Sequence, residues 1–191
     1  MKTEPLVHNV AVTPNSSIPD WQGERRLFLG VLPDAQQVRQ LTAVFPLIPA
    51  PAKAVAAMNL HLTLLFLGQT TAVQAAQLLD ALTQAELPMF SVQLKQWLVW
   101  PGPGVLCLAG EVDDPALAAL YQQLLVCAAH CGFAPPQHSL KPHITLARHS
   151  KKLPELPPLN IDLKPSGLIL FHSESTPAGV CYRPLWQLPL R

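Results

Sequence analysis

Two triplets in this sequence could do chemistry together: His61-Leu62-Thr63 and His143-Ile144-Thr145. Seven histidines and nine threonines in 191 residues give about 0.3 such triplets by chance (7 × 9/191), so two are uncommon. Each sits in an apolar run, Asn59-Leu60-His61-Leu62-Thr63-Leu64-Leu65-Phe66-Leu67-Gly68 and Lys141-Pro142-His143-Ile144-Thr145-Leu146-Ala147-Arg148. Side chains alternate along a strand, so His61 and Thr63 share one face, as do His143 and Thr145. Leu62 and Leu64, or Ile144 and Leu146, then point to the packed side.

If the two strands lie side by side, two imidazoles and two hydroxyls converge. Hydrolysis of a cyclic phosphodiester needs such a set. One group deprotonates water and another protonates the departing ribose oxygen, and histidine suits both because its ordinary pKa of about 6.5 lies near working pH. The hydroxyls of Thr63 and Thr145 can donate to the non-bridging phosphate oxygens. Arg148 or Lys141 could add a fixed positive charge. The set calls for no metal and no cofactor.

The elements that must position these groups are readable around them. Arg26–Leu32 is an apolar strand, and Asp34 is the N-cap of a helix carrying Val38, Leu41, Val44 and Phe45, stopped by Pro46 and Pro49. Asn59–Leu67 is a second strand, closed by Gly68, and Thr70 or Thr71 caps a second helix. Phe90–Trp100 and Val105–Val112 form a hairpin across Pro101-Gly102-Pro103-Gly104. Asp113 or Asp114, ahead of Pro115, starts a third helix that ends at Gly132. Strands follow at His143–Ala147, Gly167–His172 and Val180–Leu185. Strand–helix–strand with a His-x-Thr triplet thus occurs once in each half, 82 positions apart. The order predicts an α+β fold, two-lobed and pseudo-symmetric, with largely antiparallel sheets flanking a central cleft. Residues 1–22 read as a flexible extension, and 23–191 as one bilobal domain.

Composition narrows the partners. The formal charge is +1, too even for a protein that tracks along nucleic acid by charge alone, so an RNA or nucleotide would be met locally, at one phosphate or one chain end. Neither a signal-peptide core nor an apolar run of about 18 residues is present, which predicts a cytoplasmic protein with no membrane segment. A monomer is expected. The spacing of Cys107, Cys127, Cys131 and Cys181 matches no disulfide scaffold. Cys127, His130 and Cys131 share a helical turn, but lack paired ligands at zinc-site spacing and read as helix packing.

At the two triplets the sequence resembles the 2H phosphoesterase superfamily, and more narrowly the bacterial RNA 2′,3′-cyclic phosphodiesterases, once called 2′-5′ RNA ligases. The resemblance runs from about Arg25 to Leu190 and takes in Arg26–Val31, Asn59–Gly68, Pro142–Arg148 and the stretch Leu170–Tyr182. It implies hydrolysis of a 2′,3′-cyclic phosphate on RNA or a nucleotide to a 2′-phosphate. It also implies that His61 protonates the leaving 3′-oxygen, that His143 activates water, and that Thr63, Thr145 and Arg148 hold the phosphate. Phe28 matches an aromatic position that could flank the nucleoside, although a core phenylalanine fits the strand better. Lys141 stands where many relatives have arginine, which weakens bidentate contact if that side chain faces the cleft. Three alternatives remain open from the residues: another cyclic phosphate as substrate, the reverse ligation, and an RNA-end-binding module without catalysis.

Overall fold

The computed structural model describes residues 21–177 and 179–191. Its elements are β1 (Glu24–Val31), α1 (Ala35–Thr42), β2 (Lys53–Ala54), β3 (Leu62–Thr71), α2 (Ala72–Gln84), β4 (Val92–Trp100), β5 (Val105–Gly110), α3 (Pro115–His130), β6 (His143–Arg148), β7 (Ile161–Leu163), β8 (Gly167–Thr176) and β9 (Gly179–Pro189). The helices start where their caps dictate. Asp34 accepts from the Gln37 amide while the Gln37 side chain accepts from the Asp34 amide, and Thr71 and Gln74 repeat that reciprocal pair. Asp114 accepts from the Ala116 amide, with Pro115 in the first helical turn where no amide hydrogen is needed.

The strands form a sheet in the order β7-β4-β5-β6-β3-β1-β8-β9, with β2 beside β6. Every ladder among the described residues is antiparallel. The expected pair of sheets is thus one sheet made of two halves, joined at its centre by a single register pair, Leu62 with Ile144. Each half presents its His-x-Thr strand to that seam. One face of the sheet is covered by all three helices. Leu41, Leu78, Leu82, Leu117, Leu120 and Leu124 pack there against Leu27, Leu29, Leu62, Leu108, Ile144 and Leu146. Each fully buried leucine contributes roughly 1.5–3 kcal/mol of transfer free energy. A separate small cluster of Phe28, Ile169 and Phe171, with Tyr182 against it, lies apart from that core.

Several expectations shift. Ala57–Asn59 is a short 3-10 turn, so β3 opens at Leu62 and leaves His61 immediately ahead of its strand. The strand does not close at Gly68 but runs to Thr71, which is itself the cap of α2. β2 and β7 are additional strands, of two and three residues, too short to show any periodicity. The last two strands extend to Thr176 and Pro189. Most of the predicted N-terminal extension, residues 1–20, lies outside the described residues. Trp21, placed inside that extension, belongs to the core instead. Among the described residues no helix is long and apolar enough to cross a membrane.

Candidate active site

The seam fixes the geometry. Across an antiparallel ladder, paired residue numbers sum to a constant, and Leu62 opposite Ile144 gives 62 + 144 = 206. His61 therefore faces Thr145, and Thr63 faces His143. Leu62 and Ile144 are fully buried on the helix side, whereas His61, Thr63, His143 and Thr145 are each half-buried on the other. Directly opposed residues place their Cβ atoms about 4.5–5.5 Å apart. The four side chains thus form a rectangle with the histidines on one diagonal.

Both imidazoles are held in the same way. Nδ1 of His61 lies 2.7 Å from the carbonyl oxygen of Asn59, and Nδ1 of His143 lies 2.7 Å from that of Lys141. A carbonyl can only accept, so Nδ1 carries the proton in each neutral ring and Nε2 bears the lone pair. The Thr63 hydroxyl sits 3.1 Å from Nε2 of His61 and can donate to it.

Each motif is followed by a bulge. β3 pairs Thr63 with Gly30 and Leu65 with Leu29, skipping Leu64. β6 pairs Thr145 with Cys107 and Ala147 with Leu106, skipping Leu146. A bulge places two successive residues against one and so reverses the alternation beyond it. Strict alternation would send Arg148, five residues after His143, to the helix side. The bulge returns it to the face of the histidines. There its Nη2 donates to the Tyr182 hydroxyl at 3.2 Å, and the Tyr182 ring meets His61 edge-on at 4.6 Å between centroids. Gly30 makes room at the same place, since a Cβ on it would come within 2.7 Å of the Leu62 carbonyl oxygen.

The two histidines differ in surroundings. His61 is crowded by Phe28, Phe171 and Tyr182, with centroids at 4.8, 5.9 and 4.6 Å. His143 meets only the edge of Trp100, at 4.4 Å. Burial pushes the pKa of His61 down to about 4, against a smaller upward pull from the Asn59 carbonyl, with His143 and Arg148 lowering it further. Burial also lowers His143, partly offset by the Lys141 carbonyl. Both rings are consequently neutral in the free site near pH 7. Cys107, the neighbour of Thr145, is fully buried and its thiol is raised by burial to about 11, so it is no nucleophile there.

Known proteins resemble this chain in sequence and in fold. The family description "LigT like Phosphoesterase" fits residues 29–107, a span holding the first triplet. The RNA 2′,3′-cyclic phosphodiesterase of Escherichia coli K12 is 30% identical over 144 residues, covering 73% of this chain and 82% of that protein. This chain belongs to the LigT-like phosphoesterases. A second protein of the same name, from Aeropyrum pernix, is 27% identical over 156 residues, covering 72% of this chain and 86% of the relative. The crystal structure of E. coli LigT complexed with 3′-AMP superposes with a TM-score of 0.78 at 28% identity, covering 87% of this chain and 98% of that one. The chain is thus an enzyme, a phosphoesterase of the 2H superfamily, with the family's antiparallel fold.

In this LigT-like phosphoesterase the five residues singled out from sequence, His61, Thr63, His143, Thr145 and Arg148, lie on one face of the sheet. The Lys141 side chain is exposed, and its backbone carbonyl holds His143. Phe28 is buried at 3% exposure and stacks on Phe171 at 4.9 Å, a core residue beneath the site. On the last turn of α3, Cys127 is buried in the core and His130 Nδ1 is bound to the Val126 carbonyl. Three contributors were not visible in sequence. Asn59 carries His61 on its carbonyl while its side chain clamps β9, donating to the Val180 carbonyl at 2.7 Å and accepting from the Tyr182 amide at 3.2 Å. Tyr182 arrives from the far end of the chain, and Trp100 arrives from the β4–β5 hairpin. Asn59 and Tyr182 lie at the ends of segments that carry the family resemblance, yet nothing in the sequence marks their contacts, and only the position two before each histidine recurs. It acts through the backbone, so residue type gives no signal.

Proposed function

We propose that this phosphoesterase hydrolyses the 2′,3′-cyclic phosphate end of RNA, or of a nucleotide, to a 2′-phosphate by paired histidine acid–base catalysis. The observation that carries the reading is the diagonal pair: two histidines on one face, each with Nδ1 committed to a backbone carbonyl so that Nε2 is the nitrogen left to exchange a proton. Neutral His143 takes a proton from water at Nε2 as the water oxygen bonds to phosphorus. The P–O3′ bond breaks, and protonated His61 gives its proton to O3′. Water is consumed, the 2′-ester stays intact, and the two rings exchange protonation states. Thr63, Thr145 and Arg148 hold the non-bridging oxygens where charge concentrates. With a 5′-hydroxyl in place of water, the same groups would deprotonate it at His143, break P–O3′ with protonation from His61, and leave a 2′-5′ linkage.

Each ring contributes roughly 10²–10⁴ in rate, about 3–5 kcal/mol. His61→Ala and His143→Ala should therefore each lower turnover of a nucleoside 2′,3′-cyclic phosphate at least about a hundredfold in EDTA, with the melting transition retained. The product from wild type should be the 2′-phosphate alone. A 3′-phosphate, or turnover that survives in either folded variant, would sink the assignment. Preference for a 3′,5′-cyclic nucleotide or an ADP-ribose cyclic phosphate in the same assay would redirect it.

A further inference from the structure

We propose that a basic groove beside Arg148 is a subsite for the backbone phosphate of single-stranded RNA, on the 5′ side of the cyclic end. This rests on the cyclic phosphodiesterase reading above. The groove is a shallow, open one of about 720 Å³, lined by Lys53, His149, Lys151 and the turn Pro101–Gly104. It adjoins the reaction centre, because Lys53 is the β2 residue directly opposite Arg148 on β6. Among the described residues no carboxylate lines it. Neither lysine enters an ion pair among the described residues, where the two salt bridges are Lys164–Asp162 and Arg183–Glu174.

The groove is built, not a chance gap between loops. His149 adopts φ of 61°, the left-handed region that a residue with a Cβ enters at a cost. The residue after it is pinned by two hydrogen bonds. The Ser150 amide donates to the Gly104 carbonyl at 2.9 Å, and the buried Ser150 hydroxyl donates to the Lys152 carbonyl at 3.1 Å. Gly104 has φ of 62°, and a Cβ there would lie 3.3 Å from the His149 Cα. The β4–β5 turn and the segment after β6 are therefore fitted to one another, and their junction presents Lys53 and Lys151 outward.

The chemistry selects the ligand. A strand ending in a 2′,3′-cyclic phosphate continues only in the 5′ direction, so its next phosphate must leave the site over adjoining surface. Lysine acts as a hydrated point charge that attracts a phosphodiester without reading a base. A pair of such charges in an otherwise balanced protein localises attraction beside the reacting end.

The test compares two substrates, a nucleoside 2′,3′-cyclic phosphate and a short single-stranded RNA with the same end. Wild type, Lys53→Ala, Lys151→Ala and the double variant are assayed on both. The expected result is a roughly fivefold rise in KM for the RNA in the double variant, with the mononucleotide unchanged. Each lost contact should also flatten the log–log salt dependence of RNA binding by about 0.7. Equal effects on both substrates, or no effect on the RNA with an unchanged salt slope, overturn the subsite alone. A wild type that turns over neither substrate overturns the phosphodiesterase reading along with it.

Discussion

His61 should change protonation state when an anion binds. In the free site its pKa lies at about 4, chiefly because burial among Phe28, Phe171 and Tyr182 penalises the imidazolium. At pH 7 only about one ring in a thousand then carries the proton that a general acid must donate. The substrate supplies the missing stabilisation. A single negative charge about 4 Å from Nε2 contributes about 4 kcal/mol at an effective dielectric of about 20. At 1.36 kcal/mol per unit, that is about three units, which raises His61 from about 4 to about 7. The assay is an NMR titration of ring-labelled histidine in the free protein and in the presence of saturating inorganic phosphate or nucleoside 2′-phosphate. Kinetically, the limb reporting the acid should sit about three units higher in kcat, which sees the complex, than in kcat/KM, which sees the free enzyme. A free-state pKa of 6 or above for His61, or one that does not move on saturation, would refute the argument that burial holds the ring neutral until substrate arrives.

Three further outcomes follow from the same geometry. Tyr182→Phe removes the 3.2 Å acceptor of the Arg148 guanidinium; stability should change by less than about 1 kcal/mol, while kcat/KM falls roughly fivefold, and an unchanged kcat/KM would detach Arg148 from the reaction. Gly30→Ala puts a methyl 2.7 Å from the Leu62 carbonyl oxygen, so a loss of about 1–3 kcal/mol is expected, read as a melting temperature lower by about 2–4 °C per kcal/mol. The depressed His61 also makes stability pH-dependent. Below pH 6.5 the unfolded chain binds a proton that the native ring refuses until about 4, so stability is full above 6.5 and falls as pH drops through that window. The stability advantage of wild type over His61→Asn should shrink by up to about 3 kcal/mol between pH 7 and pH 4, measured by urea denaturation, and a constant difference would contradict it.

What could be read from sequence was local. The His-x-Thr triplets announce which side chains share a face, because alternation is a property of the strand alone. The caps at Asp34, Thr71 and Asp114 announce the helix starts, because the cap bonds span two or three residues. What could not be read depends on contacts between distant segments. The bulge at Leu146 is defined only against β5, and without it Arg148 would be assigned to the wrong face. Tyr182 reaches His61 because β9 is held by Asn59, 123 residues away in sequence. Lys53 acquires a role only by pairing with Arg148, through a strand of two residues that carries no hydrophobic pattern.

The proposed mechanism asks one motif, used twice, to perform two opposite tasks. Acid and base must differ in proton affinity at a given moment, yet His61 and His143 have the same buttress: Nδ1 to the carbonyl two residues back, at 2.7 Å in both cases. The difference therefore comes from outside the motif. Three aromatic rings from β1, β8 and β9 surround His61, and one indole edge from β4 touches His143. Those outer strands are unalike because the chain's last hairpin, β8–β9, packs onto β1, whereas the corresponding places beside β5 are taken by β4 and the three-residue β7. Pseudo-symmetry supplies two aligned imidazoles, and the unequal flanks give them different surroundings. Replacing Phe171 by a small polar residue should accordingly raise the free-state pKa of His61 from about 4 toward the ordinary histidine value, read by NMR titration of the ring, and an unmoved pKa would contradict burial as the cause.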